Sequence, residues 1–205
     1  GGGSAAAGAR LGLSFTLKVG DSLTMGFKIS WIGFNGLQRT ECLARLGMAE
    51  TSIVDEANEA PFSLAVLPNG WIILFANDFD YVTEEKLAKL SRSATVIGCH
   101  IHEGIMYADA ILYNDGKPVW SLSHFVGNGR FDLKVTGDPP VEMEQIRNRL
   151  IAEQKKNDAA NGDTDFIFDI PVEAASLATG YRHDQWKFDW GEPVFHELKP
   201  ARRGK

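Results

Sequence analysis

Alternation of apolar and polar residues, with a period of two, marks most of the ordered chain as β-structure. Residues 27–32 read as a short strand, with a turn at residues 33–36. Residues 62–67 and 71–76 flank Pro68-Asn69-Gly70 and read as a hairpin. Residues 95–102, 105–113 and 118–125 form three further strands, joined at Glu103-Gly104 and Asp115-Gly116. Asp-Gly suits a two-residue type I′ turn, whose central residues both need positive φ. A strand over 131–135 and a last one over 166–168 complete the set.

Helical spacing appears in four places. Residues 38–46 precede Gly47, a helix stop. Thr83 is an N-cap followed by Glu84 and Glu85, with Val82 and Leu87 as a hydrophobic staple, for a helix to about Arg92. Asp138 and Pro139 open a helix to about Lys156, with Met143, Ile146 and Leu150 as its buried stripe. Residues 172–179 form a short helix ended by Gly180. The sum is an α+β fold with a mostly antiparallel sheet of about six strands and helices packed on one face. An aromatic-rich arm follows, with Trp186, Phe188, Trp190 and Phe195 lying over the core.

The first residues read differently. Gly1 to Gly8 have the composition of a linker or fusion joint, and Met25 suits a natural start. Leu11, Leu13, Phe15, Leu17 and Val19 alternate with polar or small residues, which fits an edge strand or a segment that pairs with one. The expected division is therefore 1–24 as linker with a possible strand, and 25–205 as a single α+β domain.

Composition narrows the function classes. The net charge is −6 over 205 residues, without a Lys/Arg stripe, which disfavours nucleic acid as a partner and suits a basic one. The two cysteines, Cys42 and Cys99, show no metal or disulfide spacing, so a reducing compartment is expected. No apolar run is long enough for a bilayer, and the cytoplasm is the expected location.

Candidate chemistry centres on the three-strand block. If both turns have two residues, His100, Tyr107 and His124 share one row across the sheet. Asp109 and Leu122 lie one step along on that face, and Trp120 beyond. Two imidazoles, a phenol and a carboxylate resemble an acid–base site. The same pattern also describes the solvated face of an antiparallel sheet, and a one-residue slip would swap the faces. No His-Glu-x-x-His or paired-Cys pattern points to a metal, and no cofactor is expected. Ser121 and Ser123 lack a Gly-x-Ser-x-Gly elbow. Candidate binding residues are Asp55, Glu56 and Glu59 in one acidic loop, Asp78 and Asp80 in another, and Trp120. Arg182 and His183 suit the end of a helix dipole, and the aromatic arm could anchor a partner.

The segments Asp55-Glu56-Ala57-Asn58-Glu59-Ala60-Pro61-Phe62-Ser63, Pro68-Asn69-Gly70-Trp71 and Asp115-Gly116 through Val119-Trp120-Ser121-Leu122-Ser123-His124 are similar to uncharacterised small bacterial α+β proteins. Some proteins of that style are immunity proteins of toxin systems. The resemblance spans residues 25–183 and implies a protein-binding role, with a basic toxin as the partner, but no catalytic residue. Two readings stand: a cytosolic immunity-type binding module, or a small hydrolase-like enzyme using His100, Tyr107, Asp109 and His124. A homo-oligomer is compatible with either.

Overall fold

A computed structural model describes residues 26–201. The alternating segment at 11–19 and Met25 lie outside the described residues. The fold is α+β, as the periodicity indicates, and every paired strand is antiparallel. Among the described residues the sheet has nine strands rather than about six. In chain order they are β1 (Lys28–Asn35), β2 (Met48–Val54), β3 (Phe62–Val66), β4 (Ile72–Ala76), β5 (Thr95–His102), β6 (Tyr107–Asn114), β7 (Lys117–Phe125), β8 (Lys134–Gly137) and β9 (His196–Pro200). Their spatial order is β2-β9-β3-β4-β1-β5-β6-β7-β8.

The difference in count has a local cause. β2 and β9 lie toward one edge, and neither MAETSIV nor HELKP carries a clear apolar alternation. β1 runs through Gly33, where a turn was expected, because Gly33 lets Ile97, Thr179 and Trp71 close over the strand. Residues 166–168 do not form a strand. They lead into a helix that starts at Asp169.

Among the described residues four α-helices pack on the sheet: α1 (Arg39–Leu46), α2 (Glu84–Leu90), α3 (Glu142–Ala159) and α4 (Asp169–Thr179). They cover both faces, not one. Ile29, Trp31, Phe75, Ile97 and Ile101 point to the side of α3 and α4, which contribute Met143, Leu150, Ile170 and Val172. Ile32, Phe34, Leu74 and Val96 point to the other side, against Cys42 of α1 and Leu87 and Leu90 of α2. The middle strands are apolar on both faces because both faces are covered. Gly98 makes room for α2, since a Cβ there would lie 2.7 Å from Val82 and 2.8 Å from Leu87. Thr83 accepts from Lys86 N, and Gly47 and Gly180 end α1 and α4 in the left-handed conformation, as expected, but α3 starts at Glu142 after Val141, without a side-chain cap, rather than at Asp138 and Pro139. No helix among the described residues is long and apolar enough to cross a membrane.

Candidate functional site

The histidine face depends on register, and both hairpins depart from the simple alignment. Between β5 and β6 the connection is longer than two residues. Glu103–Ile105 form a 3₁₀ turn and Met106 takes φ 48°. His102 therefore pairs with Tyr107, and His100 with Asp109. A shift of two residues keeps the same face but exchanges the partner, since side chains alternate with period two.

Between β6 and β7 the Asp115-Gly116 turn is as expected, with both residues at positive φ and Asn114 opposite Lys117. The register then slips. Tyr113 pairs with Pro118, but Leu112 pairs with Trp120, leaving Val119 as an extra residue. Pro118 has no N–H for the ladder, and a bulge beside it is a common accommodation. One extra residue inverts the rest of β7. His124 comes opposite Ala108 and points to the α3/α4 side, away from His100. The predicted row of His100, Tyr107 and His124 does not form. Trp120 moves with His124 into the core and is not available at the surface.

His100, Tyr107 and Asp109 do meet. Asp109 Oδ1 takes His100 Nδ1 at 2.7 Å and the His100 backbone N–H at 2.9 Å. The Tyr107 hydroxyl donates to Asp109 Oδ2 at 2.9 Å. His100 Nε2 lies 2.9 Å from the Val82 carbonyl oxygen. Phe79 sets its ring edge-on to His100, His102 and Tyr107, with centroids 5.4, 5.5 and 5.8 Å away. The group borders an open, mostly apolar depression of about 570 Å³, with Asp80 on its rim.

Both His100 nitrogens face oxygen acceptors, so both donate when the ring is charged. Burial alone would lower its pKa. The hydrogen bond and charge of Asp109, then Val82 O and the Asp80 charge, carry it above the ordinary value. Burial and the Asp109 charge push the Tyr107 phenol up, so it stays a donor.

His124 is wholly buried and equally committed. Its Nδ1 meets the Asp132 carbonyl oxygen, and its Nε2 lies 2.9 Å from Asp165 Oδ2. Asp165 Oδ1 also accepts from the backbone of Ile167 and Phe168, at 3.0 and 3.2 Å. Against the opposing effect of burial, Asp165 and Asp132 raise the His124 pKa, and His124 and these N–H groups lower that of Asp165. Nothing local in the sequence marks Asp165 as this partner.

The acidic candidates separate by environment. Asp55 is buried and accepts from the backbone of Glu59 and Ala60 at 2.8 and 3.2 Å, so it shapes its own loop. Glu56 and Glu59 remain exposed. Asp78 and Asp80 are exposed too; Asp78 accepts from Asp80 N at 3.0 Å, and its carbonyl from Ser30 Oγ at 2.6 Å. Both cysteines are buried, and burial pushes the Cys42 thiol up to about 12 and raises Cys99 as well. Among the described residues no group of three or more His, Cys, Asp or Glu could hold a metal ion.

A second depression, of about 400 Å³, lies where the acidic loop meets the aromatic arm. Tyr181 is buried edge-on to Trp31, with centroids 5.3 Å apart. The chain then passes His183, crosses a small turn where Phe188 and Trp190 stack 4.8 Å apart, and re-enters the core at Phe195. Glu56, His183, Asp184, Trp186 and Glu192 line the opening, and among the described residues no Lys or Arg does. Trp186 is 76% exposed, whereas His183 is only 7% exposed. Both His183 nitrogens are closed to water and lack a hydrogen-bond partner among the described residues. Burial, aided by Arg182 and opposed by Asp184, holds its pKa down to about 4. The sequence alone gave His183 a helix-dipole role and missed this burial. No family model, curated protein or solved structure matches the chain.

Proposed function

We propose that this chain is a protein-binding module of the immunity type, acting in the cytosol on a basic bacterial toxin. The observation that carries this is the surface where the acidic loop meets the arm. Glu56 and Glu192 have no ion-pair partner among the described residues, and Trp186 stands out between water and the opening. Large exposed aromatics are typical interface anchors. A net charge of −6 favours encounter with a basic protein. The hydrolase reading needs an imidazole lone pair facing a substrate, and each nitrogen of His100 and His124 already faces an oxygen atom of the protein.

Co-expression with a toxin encoded beside its gene tests this. The wild-type chain and a His100→Gln variant should restore growth. A Glu56→Lys, Glu192→Lys variant should not, while its circular dichroism stays unchanged. Failure of the wild-type chain to protect against, or bind, any such neighbour would remove the immunity function.

A further inference from the structure

The cleft between the acidic loop and the arm has a chemistry more specific than acidity. Its walls are aromatic, with Phe27, Tyr181, Trp186 and Phe195 among the lining residues. Its rim carries the carboxylates of Glu56, Asp184 and Glu192, of which only Asp184 is paired, with Arg182 at 2.6 Å. His183 lies at the wall, buried and neutral at physiological pH, with its nitrogens unpaired. An unpaired buried polar group costs free energy unless a ligand satisfies it. The Phe27 ring, edge-on at 4.9 Å, gives it no hydrogen bond.

We infer that this cleft receives an arginine side chain of the basic partner, with its guanidinium between the aromatic wall and the free carboxylates and donating to His183. This rests on the binding reading above and names the group it recognises. Arginine fits better than lysine on three counts. Its planar cation stacks on aromatic rings, it has N–H groups enough for two carboxylates and an imidazole at once, and it loses its water more readily than an ammonium. An anion is disfavoured because all three charged rim groups are negative. The volume of about 400 Å³ takes one long side chain, not a folded segment. Entry requires the exposed residues 184–186 to shift enough to uncover an imidazole nitrogen.

The test titrates the whole chain with N-acetyl-arginine amide, using the uncharged isostere N-acetyl-citrulline amide as control. Nuclear magnetic resonance follows the His183 ring and Trp186 indole protons. Arginine amide should shift both signals saturably, and citrulline amide should bind at least tenfold more weakly. Glu56→Gln with Glu192→Gln, both exposed, should weaken arginine at least fivefold, and His183→Phe should weaken it while Trp186 still responds. Equal responses to the two amides, or an arginine response indifferent to these variants, overturns the assignment. The two proposals fail separately. A toxin bound normally by the Gln variants sinks the arginine pocket and leaves the module. Selective arginine binding without protection against any toxin sinks the immunity function and leaves the pocket.

Discussion

At the scale of single residues, three histidines, two of them buried and His100 half-buried, show how surroundings decide what an imidazole does. His124 has an oxygen acceptor at each nitrogen, which favours its charged form and ties it into the structure. Removing one member of a buried pair leaves the other uncompensated, at about 3–5 kcal/mol. His124→Phe should therefore cost about 3 kcal/mol by urea denaturation, and adding Asp165→Asn should cost less than the sum of the single changes. His183 has no acceptor and stays neutral. Its folded pKa of about 4 lies below the ordinary 6.5, so between these values the unfolded chain binds more protons. Stability should then fall as pH drops from 6.5 toward 4, by on the order of 3 kcal/mol at about 1.4 kcal/mol per unit. His183→Phe should flatten thermal stability across that window. His100 and His124 have the opposite sign: their raised values mean stability that is full below 6.5 and is lost as pH rises through their folded pKa. Asp165 acts further down, losing its contribution as pH falls below 3.8 and through its lowered value.

At the scale of elements, the bulge in β7 determines which side chains can meet. Its counterpart is Gly137 in β8, at φ 73° and paired with Trp120. A Cβ at Gly137 would lie 2.1 Å from the Val119 carbonyl oxygen, so the bulged strand and its neighbour fit only with glycine there. Gly137→Ala should destabilise the protein by about 2 kcal/mol. Amide exchange should quicken in residues 134–137 before it does in β5. The same strand shows where sequence was readable and where it was not. The β3–β4 and β6–β7 turns were evident from Pro68-Asn69-Gly70 and Asp115-Gly116, and the helices from their caps and stripes. The bulge at Val119 was not, because one extra residue leaves the apolar alternation intact on each side while exchanging the faces beyond it. That is why His100, Tyr107 and Asp109 were grouped correctly and His124 and Trp120 were not. The 3₁₀ turn at Glu103 was equally hidden, but its two-residue shift did no harm to the face.

At the scale of the whole molecule, the sheet is completed by chain segments far apart in sequence. β9 lies between β2 and β3, so among the described residues β2 joins the sheet only through β9. Neither strand announces itself locally, since each is held by the other's backbone more than by an apolar face. Such long-range pairing predicts slow folding for the size, and stopped-flow refolding should show the β2 amides gaining protection after those of β4 and β5. The arm bridges α4 and β9, and the acidic loop is tied to the same place: Asp55 N donates to Phe195 O at 2.9 Å. The two sides of the arginine cleft therefore share one mechanical anchor, whose next residues are the strand that holds the sheet margin in place. A guest gripping the Trp186 segment would tighten that anchor, and its arrival would be felt as slower deuterium uptake in β2, a strand it never touches.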